Sequence, residues 1–331
     1  MKEMRYVISP STDPYFNLAL EQHLFDTVGQ TESFFMLWHN DNTIVVGRHQ
    51  NTAEEINADF VREHGVRVVR RLSGGGAVYH DLGNLNFTFI TDGGSGVGLD
   101  LHLFCRPVAQ ALGELGVKAD ISGRNDITID GKKFSGNAQY KKNGRVMHHG
   151  TIMFDSDLEV LSQALRVTGD KIVSKGVKSV RARVTNVKPY LAGDVTMEDF
   201  KAVLVRSILG EDPPRYELTD GDLEAVRALR ESRYATWEWN YGQSPRYGIR
   251  KERRVEGVGK LSLWLQVEEG RLAGLEAYGD FFGDGSEGAL TAALTGCAME
   301  EGAILSALGG VDLQQYFHHL TVEELCRILL S

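Results

Sequence analysis

Apolar positions switch between a helical and a strand period along the chain, and the switches mark its elements. Phe16, Leu20, Leu24 and Val28 recur every four residues behind Asp13-Pro14. That spacing predicts an amphipathic helix with Asp13 as N-cap and Pro14 in the first turn. Asn17 and Glu21 fall at the edge of this stripe and read as ordinary surface groups. Residues 33–38 and 43–48 read as two strands joined by the polar turn 39–42. Thr52-Ala53-Glu54-Glu55 has the form of a capping box; it should open a helix with Ile56 and Phe60 inward that stops at Gly65. The strand-like runs 66–69 and 85–90 follow, joined by a glycine-rich connection.

A helix is expected over about residues 105–115, with Pro107 tolerated only in its first turn. Asp130-Gly131 and Asn143-Gly144 then separate alternating runs. Both dipeptides suit the positive φ angles of type I′ turns, so an antiparallel meander forms with Lys133 and His149 on neighbouring strands. Further helices are predicted over 157–165, 196–209 and 220–232. Between the first two lies a run with Lys171, Lys175, Lys178, Arg181, Arg183 and Lys188 and almost no acid, which on its own reads as a solvated face. Turn-rich Gly242-Gln243-Ser244-Pro245 marks a boundary. Beyond it come three strands and then three short helices, an α+β unit of about 80 residues.

Composition narrows the classes. The 331 residues, 42% hydrophobic and 24% charged, suit a globular chain with a large and a small domain. No apolar run approaches the 18 residues of a membrane span, and the first residues do not begin a signal peptide. Three scattered cysteines argue against a disulfide framework or a zinc site and suit a reducing cytoplasm. A net charge of −9 argues against generic nucleic-acid binding.

Candidate chemistry gathers at Arg70-Arg71-Leu72-Ser73-Gly74-Gly75-Gly76-Ala77-Val78-Tyr79-His80-Asp81-Leu82-Gly83-Asn84. Three glycines expose a row of backbone N–H groups, and two guanidinium forks beside them suit phosphate or carboxylate. A flexible turn with solvated arginines is the plainer alternative. Lys133, on a strand rich in apolar residues, is either an edge-strand charge or a point charge for an anion under attack. Asp126, on the adjacent strand, could help hold Mg²⁺ together with substrate phosphates. No Gly-x-x-x-x-Gly-Lys-Ser/Thr occurs, which removes the P-loop reading. His148 and His149 face opposite sides of a strand and cannot chelate one metal; one should point into the meander with Lys133 and the other outward.

These motifs resemble those of lipoate–protein ligase A and its relatives in the biotin ligase superfamily. The resemblance rests on the glycine stretch, on Gly123-Arg124-Asn125-Asp126, on Lys133-Phe134-Ser135-Gly136-Asn137-Ala138 and on His149-Gly150-Thr151, in the family's order. It extends to Asn17-Leu18-Ala19-Leu20-Glu21, Trp38, residues 46–51, Trp237-Glu238-Trp239-Asn240-Tyr241-Gly242 and Tyr278-Gly279-Asp280-Phe281-Phe282. It implies an α+β fold: a large domain of mixed or antiparallel sheet flanked by helices (residues 1–244) and a small accessory domain (245–331). It implies a ligase that converts lipoate and Mg-ATP to lipoyl-AMP and pyrophosphate. The lipoyl group then passes to a lysine of a carrier domain, in 2-oxoacid dehydrogenase E2 subunits or the glycine cleavage H protein.

On this resemblance Lys133 is the catalytic residue. Arg71, Gly75, Gly76, Ala77, Val78, Tyr79, Asn84, Asp126 and Lys133 would bind ATP or the adenylate. Lys133, Arg71, His80, Ala138, His149 and Trp38 would bind lipoate, and the basic run would steer acidic carriers. A cytoplasmic monomer is expected. The competing reading is an ATP-independent octanoyl or lipoyl transferase of the same fold, which needs a cysteine nucleophile.

Overall fold

In a computed structural model the chain is described over residues 4–28, 32–93, 101–122, 125–165, 183–241, 249–268, 270–283 and 287–330; for Ala53, Glu54 and Glu287 the description stops at the backbone. The boundary expected at 244/245 and most of the basic run lie outside these residues. The chain divides into two compact units. One comprises residues 1–46, 53–71 and 78–240; the other comprises 47–52, 72–77 and 241–331.

The first unit begins with β1 (Met4–Ile8), α1 (Pro14–Asp26), β2 (Ser33–Trp38) and β3 (Thr43–Val46). After α2 (Thr52–Glu55) and α3 (Ala58–Glu63) come β4 (Arg67–Arg70), β5 (Val78–His80), β6 (Asn84–Asp92) and α4 (Leu101–Glu114). The meander β7 (Asp120–Ser122), β8 (Asp126–Ile129), β9 (Lys132–Lys142) and β10 (Arg145–Met153) leads to α5 (Leu158–Ala164). Seven strands form one mixed sheet in the order β1-β2-β6-β10-β9-β8-β7, and β4-β3-β5 form a second. Asp130 and Gly131 (φ 51° and 74°) and Asn143 and Gly144 (φ 52° and 74°) make the two type I′ turns. One face of the large sheet packs Phe35, Phe87, Phe89, Phe134 and Ile152 against α4 and the helix Met197–Leu209. Burying this apolar face is the main driving force for the layered arrangement.

Several local readings give way to tertiary packing. β2 and β3 do not pair: β2 lies between β1 and β6, and β3 between β4 and β5. The Thr52 segment makes one turn, breaks at Ile56, which bridges to Leu165, and restarts behind the Asn57 cap. Pro107 lies well inside α4, because burial of Phe104, Cys105 and Val108 holds the helix through the lost N–H. Asn17 and Glu21 are 0% and 1% exposed rather than on the surface, since α1 is covered on nearly all sides. His148 and His149 do face opposite ways, yet both are buried because both faces of the sheet are covered.

The second unit holds an antiparallel sheet of β11 (Ile249–Val255), β12 (Gly259–Glu268) and β13 (Arg271–Gly279). Helices Glu287–Leu294, Glu301–Leu308 and Val322–Leu330 close a core around Leu261, Leu263, Leu265 and Phe317. A large mixed sheet with flanking helices plus a small antiparallel α+β unit is the architecture expected. Among the described residues no helix is long and apolar enough to cross a membrane.

Candidate active site

Register assembles the site on the second face of the large sheet. Trp38 pairs with Asn86, Asn86 with Thr151, and Asp126 with Gly136. The Gly136 amide donates to Thr151 Oγ1 at 3.2 Å, which closes the row across five strands. At about 4.8 Å per strand this row spans roughly 19 Å. His149 pairs with Ala138 on one side and Thr88 on the other, one row along.

Lys133 sits at the β8–β9 bulge. Its backbone pairs with a different segment: its N–H donates to Arg183 O (2.8 Å), and Thr185 N–H donates to its carbonyl (2.9 Å). The side chain, 34% exposed, folds across Gly136, where a Cβ would lie 3.0 Å from Cε and Nζ. The ammonium meets Asp126 Oδ1 at 2.7 Å. Asp126 and Lys133 are thus brought together as the hairpin predicts, and they neutralise each other.

Above His149 lies a buried polar chain that the sequence did not disclose. Trp38 Nε1–H donates to Thr88 Oγ1 (2.9 Å), and Thr88 Oγ1–H donates to Glu21 Oε1 (2.5 Å). His149 Nδ1 lies 3.1 Å from the same carboxylate, which can only accept, so Nδ1 carries the hydrogen. The Arg71 guanidinium shares this interior. Burial pushes its pKa down to about 10, the Glu21 charge opposes that, and Arg70 adds to it. At neutral pH it remains a cation. Its Nη1 also donates to Val45 O at 3.2 Å.

His80 stands edge-on to Trp38, ring centroids 6.5 Å apart, with Nδ1 3.2 Å from Asn40 Nδ2. Burial, and then the charges of Arg71, His149 and His39, push its pKa down to about 3, so it is neutral. His80 Nε2, Asn84 Oδ1 and Asn86 Nδ2 are buried atoms without a hydrogen-bond partner. Polar atoms in that condition are costly and mark where a ligand's polar groups would be received.

Arg70 has a different part from the one its place in the motif suggests. Its N–H donates to Asn240 Oδ1 (2.9 Å) and its Nε to Trp239 O (2.9 Å), and Trp239 Nε1–H donates back to Arg70 O (2.8 Å). Arg70 therefore pins the Trp237–Asn240 helix. Val78 and Tyr79 lie on β5; Tyr79 is buried, with its hydroxyl on Asn42 Oδ1 (3.1 Å) and its pKa pushed up to about 12, first by burial and then by nearby carboxylates.

Gly74, Gly75, Gly76 and Ala77 belong to the second compact unit. A Cβ on Gly74 would lie 2.4 Å from Phe281 O, and Gly75, at φ 93°, directs its N–H to that carbonyl at 3.4 Å. In the same unit His49 stacks on Phe281 with ring centroids 4.6 Å apart, and Gly279 N–H donates to His49 O (2.7 Å).

Among the described residues no group of three His, Cys, Asp or Glu is placed to hold a metal ion. Of the cysteines, Cys105 is buried in α4, and Cys297 and Cys326 belong to the second unit, where burial pushes the Cys326 thiol up. The groups that sequence reasoning missed are Asn17, Glu21, Asn86, Thr88 and Asn137. The available signal was composition: a helix reading Pro-Tyr-Phe-Asn-Leu-Ala-Leu-Glu-Gln-His-Leu-Phe-Asp has too few polar residues for an exposed face.

Comparison with known proteins gives the family. Residues 13–209 match the lipoyl protein ligase A/B catalytic domain, and residues 244–329 match the bacterial lipoate protein ligase C-terminus. The chain is 43% identical over 316 residues to a lipoate–protein ligase of Bacillus subtilis (strain 168), covering 94% of this chain and 95% of that one. It is 42% identical to lipoate–protein ligase 1 of Staphylococcus aureus (strain Mu50), covering 96% and 97%. A crystal structure of lipoate–protein ligase A bound with ATP superposes with a TM-score of 0.63 at 26% identity, covering 72% of this chain and 99% of that one. A bi-partite lipoate protein ligase from Thermoplasma acidophilum, described with its E2 lipoyl domain, gives 0.67 at 27% identity, covering 75% and 100%. Matched in both of its parts and along nearly its whole length, the chain belongs to the lipoate–protein ligase family of enzymes.

Proposed function

We propose that the protein joins lipoate to carrier proteins in two half-reactions. First a lipoate carboxylate oxygen attacks the α-phosphorus of ATP, giving lipoyl-AMP and pyrophosphate. Then the ε-amine of a carrier lysine attacks the acyl carbon and AMP departs. The first step brings two anions together. In the second a neutral amine attacks, its proton is lost to solvent, and negative charge develops on the acyl oxygen and the departing AMP. Catalysis is therefore mostly positioning and charge neutralisation. Lys133 is the group for this: a half-exposed ammonium resting on a glycine, releasable from Asp126 when two anions arrive. That placement is the observation that carries the reading.

In this reading Arg71 and the Gly75 and Gly76 amides receive phosphate, and Ala77, Val78, Tyr79 and Asn84 frame the nucleotide, Tyr79 through its backbone. Trp38, Ala138, His149 and His80 line the lipoyl slot. Asp126 is a single carboxylate already paired with Lys133, so Mg²⁺ fits better as an ion brought in on the nucleotide's phosphates than as one caged by the protein. The recipients are lipoyl domains of E2 subunits and the glycine cleavage H protein, steered by the basic run. Residues 1–244 carry both substrates and 245–331 form the accessory domain. A monomer in the cytoplasm suits this role.

The ATP-independent transferase is disfavoured by the cysteines, none of which lies on the face that carries Lys133. Lipoate-dependent pyrophosphate release from ATP is the discriminating assay. It should occur in the native protein and fall by about 10²–10³-fold in Lys133→Ala. Transfer without ATP, or full activity in that variant, would refute the reading.

A further inference from the structure

His148 lies on the face of β10 opposite the substrates, 0% exposed. Its ring stacks on Phe104 (centroids 4.9 Å, 23°) and Phe87 (6.0 Å, 24°). Packing would account for an aromatic ring there, but not for its two polar bonds. Nδ1 is 3.1 Å from Gln139 Nε2, a donor, so Nδ1 accepts and Nε2 carries the hydrogen. That Nε2–H points at Asn137 Oδ1, 3.2 Å away.

Asn137 is 2% exposed and spends its remaining capacity on Asn125, the residue before β8, and on Ser135 of its own strand. Its N–H donates to Asn125 O (2.9 Å), Nδ2 donates to the same carbonyl (3.2 Å) and to Ser135 Oγ (3.2 Å), and Asn125 Nδ2 donates back to Asn137 O (2.8 Å). Asn125 immediately precedes Asp126, and Asn137 immediately follows Gly136, the glycine that Lys133 lies across. The ladder is irregular here, because the β8–β9 bulge removes regular pairing beside Lys133. Before the bulge, side-chain bonds reinforce the Asn125–Asn137 backbone bond that ends the ladder.

We propose that His148 is a positioning residue for the Lys133–Asp126 pair: its Nε2–H fixes the Asn137 amide, which clamps Asn125 and so sets where the lysine ammonium is held. The His148 ring stays neutral because burial between phenylalanines pushes its pKa well below the ordinary value, with His149 adding to that, so the donor keeps one identity across the working pH range. The bonds run from His148 in the core to the backbone of Asn125, the residue before Asp126.

The catalytic part of this inference rests on Lys133 acting as proposed above; the structural part does not. Two variants separate hydrogen bonding from packing. His148→Phe keeps an aromatic ring and loses the donor, whereas His148→Gln loses the ring but places an amide N–H near the reach of Nε2. With both folded by thermal melting, His148→Phe should lower kcat for pyrophosphate release about tenfold to a hundredfold, with KM for lipoate and ATP within about twofold, and His148→Gln should stay within about threefold of native. Native kcat in His148→Phe, or His148→Gln as impaired as His148→Phe, overturns the proposal. Should His148→Phe not fold, Asn125→Ala tests the same clamp from its half-buried end, with the same loss expected and native kcat decisive against it.

A second readout does not depend on turnover. Acetylation of Lys133 by acetic anhydride, followed by mass spectrometry against Lys142 in the same sample, reports how firmly the amine is held. It should speed up several-fold in His148→Phe and Asn125→Ala, and an unchanged ratio overturns the clamp. If Lys133→Ala retained full pyrophosphate release while the labelling changed, the proposed function would fail and the clamp would stand.

Discussion

Adding one methyl group at Gly150 tests how tightly the two faces of the sheet are coupled. A Cβ there would sit 2.3 Å from Asn137 Oδ1 and 2.4 Å from Phe87 Cζ, about 1 Å inside normal contact with each. Neither neighbour is free to retreat. Phe87 is 1% exposed and wedged against Phe89 and His148, and Asn137 is held by Asn125, Ser135 and His148. Overpacking of this kind costs about 1–3 kcal/mol, and a buried amide pushed off its partners costs about 1–3 kcal/mol more. The gain from replacing glycine within a strand, about 0.5–1 kcal/mol, offsets little of this.

Gly150→Ala should therefore be destabilised by about 1–5 kcal/mol, with about 3 kcal/mol at the centre of that range. At roughly 2–4 °C per kcal/mol for a unit of this size, Tm should fall by about 10 °C. The checks are thermal melting and urea unfolding with an unchanged m value. The Asn137→Ala/Gly150→Ala pair should cost less than the sum of its single variants, because removing the amide clears one of the two clashes. A Tm within about 2 °C of native, or strict additivity, would refute the reasoning.

Other expectations follow from side-chain geometry and, for the basic run, from the sequence alone. Burial tends to raise the Asp222 carboxyl, but bonds from His23 (2.7 Å), the Thr219 hydroxyl and amide, and Tyr216 outweigh it and hold the pKa well below the carboxylate range. A depressed folded pKa gives stability that is complete above about pH 4 and lost as pH falls further. Urea unfolding of Asp222→Asn should accordingly show a flatter acid limb than native protein and a lower plateau at pH 7. Glu21→Gln removes the charge that opposes desolvation of Arg71 and should cost about 2–5 kcal/mol by denaturant titration; a loss under about 1 kcal/mol would mean other groups compensate Arg71. Charge reversal at Lys178 and Arg181 should slow transfer to the carrier and weaken its salt dependence while leaving pyrophosphate release unchanged, as stopped assays of each half-reaction would show.

The chain's own order of residues determined much of this protein. Turn chemistry at Asp130-Gly131 and Asn143-Gly144 set two hairpin registers, because only residues tolerant of positive φ fit both central positions. Those registers placed Lys133 beside Asp126, and caps such as Asp13, Thr196 and Thr219 started helices where their side chains could accept backbone N–H groups. Local signals of this kind act within a few residues, which is why they can be read along the chain. The burial of Glu21, Asn17 and both histidines was decided elsewhere, by which faces of α1 and β10 other elements came to cover. Likewise the separation of β2 from β3 and the part taken by Arg70 depend on partners more than twenty and about 170 residues away. A polar side chain on a helix reads the same whether water or a buried guanidinium awaits it; only the packed structure supplies the partner, and with it the function of the group.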